Sequence, residues 1–146
     1  MKPIEVKIIN NSRYPLPEYQ TTESAGMDLR ANIDMTIELK SLERQLIPTG
    51  LFIELPVGYE AQVRPRSGLS IKKGITVINA PGTIDSDYRG EIKIPIINLS
   101  SEIQTIDPGE RVAQMVVATH AVVQWLPVTE IAASERGAGG FGSTGA

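Results

Sequence analysis

Cysteine is absent from the chain, which excludes a disulfide framework, a thiolate metal site and a thiol nucleophile. Histidine occurs once, as His120; it lies among Ala and Val residues and reads as a strand-end residue, so a His-dependent mechanism has little to draw on. No apolar run approaches the ~20 residues of a membrane-spanning helix, and Met1-Lys2-Pro3-Ile4-Glu5 lacks the charged-then-apolar layout of a secretory signal. Lys and Arg are not in excess. The formal net charge is -3, which argues against broad or stable nucleic-acid binding and leaves room for a small phosphorylated ligand. The expectation is a soluble cytoplasmic protein with no membrane partner; a nuclear location also fits a eukaryotic or viral source.

What is present is a chain of 146 residues, the length of one domain with a substantial core. Ile4-Glu5-Val6-Lys7-Ile8, Ala25 to Ala31, Met35 to Leu39 and Tyr59 to Arg64 alternate apolar and polar, the period of half-buried strands. Met27, Leu29 and Ala31 should share one face and Asp28 and Arg30 the other. Tyr14-Pro15-Leu16-Pro17-Glu18-Tyr19 is too proline-rich for regular structure. Gln45 to Leu55 reads as two short strands meeting at a Pro/Gly bend. Glu91 to Leu99, Gln104 to Ile106, Arg111 to Ala118 and Ala121 to Trp125 are further strands, with Pro95 restricting the first.

Short strands with frequent turns predict a sandwich, jelly roll or closed barrel. Ser67 to Gly74 is the best short helix, with Ser67 as cap, Lys72 and Lys73 at the negative end of the dipole and Gly74 as terminator.

Near the middle, Asn79 to Gly90 joins Ile75-Thr76-Val77-Ile78 to Glu91–Ile97. This connection is longer than a tight turn needs and carries an aromatic and two carboxylates, which points to a ligand-holding hairpin. Asp28, Asp85 and Asp87 are candidates for metal or water chemistry, although an Asp in a turn is commonly an Asx turn or a cap. Tyr88 can be a packing residue, and Gln114 can merely face solvent. Arg64-Pro65-Arg66-Ser67-Gly68 sets guanidinium groups beside a helix start, either a phosphate site or an ordinary surface strand end.

The last segment, 134–146, predicts a mobile arm: five of the ten residues from Arg136 to Gly145 are glycine. Gly137, Gly139 and Gly142 spell G-x-G-x-x-G, but a dinucleotide fold needs that pattern between a strand and a helix, and here the chain ends a few residues later. The arm is either a disordered tail or a segment that orders over a nucleotide. Arg136, Phe141, Ser143 and Thr144 would then supply a phosphate fork, a stacking ring and hydroxyl donors.

Taken together, Ala25-Gly26-Met27-Asp28-Leu29-Arg30-Ala31, Arg64-Pro65-Arg66-Ser67-Gly68-Leu69, Asn79 through Gly90, Gly109-Glu110-Arg111-Val112-Ala113-Gln114-Met115 and Arg136 through Gly145 resemble the five ordered motifs of the homotrimeric dUTP diphosphatases (dUTPases). The match spans residues 25–145 in the family's order and spacing. The resemblance implies an all-β, distorted jelly-roll β-barrel subunit with one short helix. Residues 1–133 would form the barrel domain, and residues 134–146 an arm closing over an active site in a homotrimer.

It further implies hydrolysis of dUTP to dUMP and diphosphate, keeping uracil out of DNA and supplying dUMP for thymidylate synthesis. Asp85 is then the general base for in-line attack of water on the α-phosphorus. Substrate would be bound by Arg66, Ser67, Gly68, Asn79, Gly82, Thr83, Ile84, Tyr88 and Gln114, and by Arg136, Gly140, Phe141, Gly142, Ser143 and Thr144 of the arm. The implied cofactor is Mg²⁺, held mainly by substrate phosphates, with Asp28 near it through water.

Two other readings stand beside this one. A dCTP deaminase is built on a related fold but lacks the glycine-rich fifth motif. A catalytically silent nucleotide-binding protein on the same scaffold is opposed by the presence of Asp28, Asp85 and Gln114.

Overall fold

Alternation decides which side of each strand is buried. In the computed structural model, which describes residues 3–140, Ile92, Ile94 and Ile96 all lie in the core while Lys93 and Pro95 point away from it. Each such Ile contributes roughly 1.5–3 kcal/mol by leaving water.

Eleven strands and one helix form among the described residues: β1 (Lys7–Asn10), β2 (Met27–Arg30), β3 (Ile37–Leu39), β4 (Arg44–Pro48), β5 (Leu51–Glu54), β6 (Tyr59–Arg64), α1 (Ser67–Lys73), β7 (Ile75–Val77), β8 (Gly82–Ile84), β9 (Lys93–Asn98), β10 (Gln104–Ile106) and β11 (Arg111–Thr119). Every pairing is antiparallel. The ladders are β2-β11-β6-β8, β4-β9-β7, β1-β5 and β10-β3, small sheets wrapped round one core that includes Leu29, Leu39, Ile47, Ile94, Ile106 and Val112. This is a distorted jelly roll with one short helix.

β11 is the strand that positions the site. Its neighbours on either side bring Asp28 of β2 and Arg64 of β6 opposite Gln114. The register slips between Arg111 and Ala113, so that Val112 and Ala113 are both buried. Such a bulge re-aims the flanking side chain, here Arg111.

Pro95 sits in the central strand of its sheet, where a proline normally removes a ladder bond. Its carbonyl accepts from Ile78 N, at 2.9 Å, just beyond the end of β7. In an antiparallel strand the N–H and C=O of a residue face the same neighbour, so the missing donor falls where that neighbour has already ended.

Three expectations need correction. The helix cap is Arg66, with extended dihedrals and no side-chain cap bond, and Ser67 is the first helical residue. Gly74 does terminate the helix in the left-handed region, at φ 66°, with its N–H on the Ser70 carbonyl. The first strand begins at Lys7 rather than Ile4. Ala121 to Trp125 forms no strand, and Val122, Trp125, Leu126 and Ile131 stand exposed. Alternation there records a need for a partner strand, and no described strand of the same chain supplies one.

Asn98, fully buried, ties two loops to the core. Its Nδ2 donates to the Leu39 and Glu102 carbonyls at 2.9 and 2.8 Å, while its Oδ1 accepts from Ser100 N and Oγ at 2.9 and 2.7 Å. Asn98→Ala strands these partners, and each buried group left unpaired costs about 1–3 kcal/mol. We expect a loss of roughly 3 kcal/mol in urea unfolding at fixed protomer concentration.

Candidate active site

The hairpin expected from the sequence is divided between two sheets. β7 and β9 pair as its stem, but after the Asn79–Pro81 turn, which contains a cis Ala80–Pro81 bond, the chain crosses to β6 and forms β8. β8 carries no strand signal of its own: it is three residues long and embedded among turn formers. Between β8 and β9 opens a cleft of about 340 Å³ lined by Asn79, Gly82, Thr83, Ile84, Asp85 and Tyr88, with Glu91 and Lys93 on the opposite side.

β8 is an edge strand among the described residues, so its outer row of N–H and C=O groups has no ladder partner among them and can pair with a ligand. Gly82 is buried, and a Cβ there would stand 3.2 Å from Asn79 Nδ2 and 3.5 Å from Val63 Cβ. A side chain there would press on the Asn79 amide and require it to shift by a few tenths of an ångström.

Asp85 follows β8 directly. Ile84 before it is buried, which anchors the strand end, while Asp85 itself is exposed and takes part in no ion pair among the described residues. Its backbone carbonyl accepts from Tyr88 N at 3.1 Å, closing a turn that brings the ring back towards the cleft. The Tyr88 hydroxyl donates to the Glu91 carbonyl at 2.9 Å. That carbonyl is itself fixed: Gly50 N donates to Glu91 Oε1 at 2.9 Å, Ile92 N to the Leu51 carbonyl at 2.8 Å, and Thr49 Oγ1 to the Ile92 carbonyl at 2.6 Å. The far wall of the cleft is stapled to the β4–β5 bend.

A second group forms on β2, β11 and the start of α1. Arg66 Nε donates to Asp28 Oδ1 at 2.7 Å, Arg66 guanidinium to the Arg111 carbonyl at 3.1 Å, and Arg111 guanidinium to Asp28 Oδ2 at 3.0 Å. These three bonds close a loop in which one carboxylate orients two guanidinium groups, leaving a net positive charge. Gln114 Nε2 donates to the Pro65 carbonyl at 2.9 Å, and its side chain packs over Gly26, where any Cβ would collide with it. Ser67 and Gly68 are exposed beside Arg66, and a Cβ on Gly68 would meet nothing. Arg111 was not singled out from sequence, although the Gly109–Met115 motif contains it.

The two groups line different surfaces. The hairpin cleft includes none of Asp28, Arg66, Ser67, Gly68 or Gln114; Gln114 instead borders a shallow depression with Arg64, Pro65 and Pro81. In the last described segment Arg136 Nε donates to the Gly139 carbonyl at 2.8 Å, and Gly137 N to the Ser134 carbonyl at 3.0 Å, with Gly140 half-buried. Phe141, Gly142, Ser143 and Thr144 lie outside the described residues. The structure therefore gathers Asn79, Gly82, Thr83, Ile84, Asp85 and Tyr88 in one place, and Asp28, Arg66 and Gln114 in another.

The chain thus presents an exposed carboxylate beside a cleft and a guanidinium cluster on another surface, groups suited to water activation and to anion binding respectively. The dUTPase family model matches residues 12–145. The deoxyuridine 5'-triphosphate nucleotidohydrolase of Fusobacterium nucleatum is 55% identical, over 99% of each chain. That of Finegoldia magna is 57% identical, over 97% of this chain and 99% of its own. Among solved structures, the dUTPase of Staphylococcus bacteriophage 80alpha with dUPNHPP superposes with a TM-score of 0.84 at 26% identity, covering 97% of this chain and 99% of that one.

The chain belongs to the dUTPase family. Its activity is that of a dUTP diphosphatase, the hydrolysis of dUTP to dUMP, which sets aside both the deaminase and the catalytically silent readings.

Asp28→Asn removes the charge that orients Arg66 and Arg111. Losing a charge-assisted bond of about 1.5–3 kcal/mol corresponds to roughly a tenfold or larger rise in KM for dUTP. Steady-state kinetics check this; an unchanged KM and kcat would separate the arginine loop from the reaction.

Proposed function

We propose that this chain hydrolyses dUTP by Asp85-assisted attack of water on the α-phosphorus, in a homotrimer whose sites are each assembled from three chains. The observation that carries the mechanism is the exposed, unpaired Asp85 at one end of the cleft, with Asn79 and the free edge of β8 at the other. Asp85 takes the proton from the attacking water. The new P–O bond forms as the bond from the α-phosphorus to the bridging oxygen breaks, and diphosphate leaves opposite the water. A positioned base of this kind contributes on the order of 10²–10⁴-fold; orientation and charge stabilisation supply the remainder.

Base selection belongs to the hairpin. The edge groups of β8, spanning Gly82, Thr83 and Ile84, with the Asn79 amide, suit the donor and acceptor edge of uracil. Cytosine offers the reverse pattern at position 4 and leaves cleft groups unpaired, a mismatch that can discriminate by ~10⁴ or more. The methyl group of thymine meets the close-lying backbone. Tyr88 packs against the deoxyribose and leaves no room for a 2′-hydroxyl.

Phosphates are held by Arg66, Ser67, Gly68 and Gln114. One hydrogen of the Gln114 amide is used on Pro65, and the other remains for an oxygen of the substrate. Residues 134–146 act as an arm that closes over the nucleotide: Arg136, Gly140, Gly142, Ser143 and Thr144 on phosphates, Phe141 across the uracil.

Mg²⁺, when bound to the triphosphate, neutralises its charge and orients it. The donor set fits an ion held by phosphate oxygens and water. Among the described residues no three His, Cys, Asp or Glu cluster around a cation site. Each Asp28 oxygen accepts one guanidinium bond, which leaves acceptor capacity for a water of the ion's hydration shell.

The trimer is supported by the separation of the two residue groups and by the exposed apolar run from Val122 to Ile131, surface that a lone chain leaves in water. One chain would supply Asp28, Arg66 and Gln114, a second the hairpin, and a third the arm.

Asp85→Asn should reduce kcat by about 10³-fold or more while a non-hydrolysable dUTP analogue binds nearly as before. Near-normal kcat would remove Asp85 from this role. Deletion from residue 136 onward should leave a folded assembly with severely reduced activity, read by sedimentation and by diphosphate release; full activity would refute the arm.

A further inference from the structure

Gly90 closes the hairpin turn, and its backbone is not in the left-handed region that makes glycine obligatory elsewhere in the chain, as at Gly74 and Gly109. Its lack of a side chain has a different cause. A Cβ at Gly90 would stand 2.5 Å from Tyr88 Cζ and 2.9 Å from Cε2, and would overlap the hydroxyl; the three nearest atoms all belong to that one ring. The hydroxyl end of the ring lies against the glycine, and the hydroxyl reaches the Glu91 carbonyl, which the contacts of Gly50, Leu51 and Thr49 hold in place. Tyr88 is thus located by a floor and a tether. The tether alone leaves the ring room to rotate towards solvent, because Tyr88 is 45% exposed.

We propose that Gly90 is a specificity-determining residue: its missing side chain sets the height of the Tyr88 ring in the cleft, and hence the exclusion of a ribose 2′-hydroxyl. This rests on the reading of Tyr88 as the surface against the sugar. Any side chain at position 90 lifts the ring, breaks the bond to Glu91, and turns Tyr88 towards solvent. Since the ring is half-exposed and position 90 lies outside the left-handed region, the fold survives this change while the sugar pocket does not. Gly90 acts through Tyr88 and is a positioning residue.

The test compares kcat/KM for dUTP and UTP, with Mg²⁺, in the wild type, Gly90→Ala, Tyr88→Leu and the double variant. We expect Gly90→Ala and Tyr88→Leu each to lower the dUTP over UTP preference by about tenfold or more, and the double variant to be no worse than Tyr88→Leu alone, as for two changes acting through one ring. An unchanged preference in Gly90→Ala beside a lowered one in Tyr88→Leu overturns the inference and leaves the Tyr88 reading intact. An unchanged preference in Tyr88→Leu overturns the Tyr88 reading itself. Full additivity in the double variant also overturns the inference, because Gly90 would then act independently of the ring. Should Gly90→Ala alone fail to fold, restoration of folding by the added Tyr88→Leu supports the steric coupling, and failure to restore it refutes the coupling.

Discussion

The cleft exists because β8 leaves the hairpin to pair with β6. Had the chain from Asn79 to Gly90 continued the β7–β9 ladder, the backbone of Gly82, Thr83 and Ile84 would be consumed by that ladder and no space would open. Pairing β8 with β6 instead buries Gly82 and Ile84, while the opposite edge of the strand has no partner among the described residues. A rigid row of donors and acceptors facing a cavity is a costly arrangement in a fold, since edge strands invite pairing with other chains. Here the short length of β8 and the Asn79 amide beside it limit that exposure. Glu91, held by the β4–β5 bend, lines the cleft across from β8, so that in the proposed function recognition is built on backbone that two sheets hold apart.

The arginine loop solves a different problem. Two guanidinium groups close together repel, and a flexible one loses much of its worth on binding because ordering it costs conformational entropy. Asp28 accepts from both, and the bulge at Val112 aims Arg111 at it. What remains is a preorganised cation next to exposed Ser67 and Gly68, on a surface separate from the cleft. In the proposed trimer these two groups are halves of one site, each insufficient alone. The Val122–Ile131 run, exposed and without a partner strand among the described residues, supports that proposal.

Much of this was legible in the sequence wherever the signal was local. The alternation of Met27, Leu29 and Ala31 against Asp28 and Arg30 gave β2 its buried and polar faces, and Lys72, Lys73 and Gly74 gave α1 its end. Asn79, Asp85 and Tyr88 were recognisable as a set because they share one connection. What failed to show depended on distant partners. β8 is a strand only because β6 is present beside it. Arg111 matters because a register slip, which no pattern of residue types announces, turns it towards Asp28. Ala121 to Trp125 has the alternation of a strand, yet alternation reports a demand for pairing and says nothing of which chain meets it. Ser67 reads as a cap, but the extended conformation of a cap falls on Arg66, one residue earlier.

In the proposed trimer the hairpin is one part of a site shared between chains, and complementation tests this. Chains carrying Asp85→Asn, which lack the base, are refolded in equal amounts with chains ending at residue 135, which lack the arm. If hairpin and arm meet from different chains, random assembly recovers about a quarter of the wild-type sites, and dUTP hydrolysis returns to about that fraction. If base and arm must come from the same chain, no mixture of these two variants regains activity, and the shared-site account is contradicted.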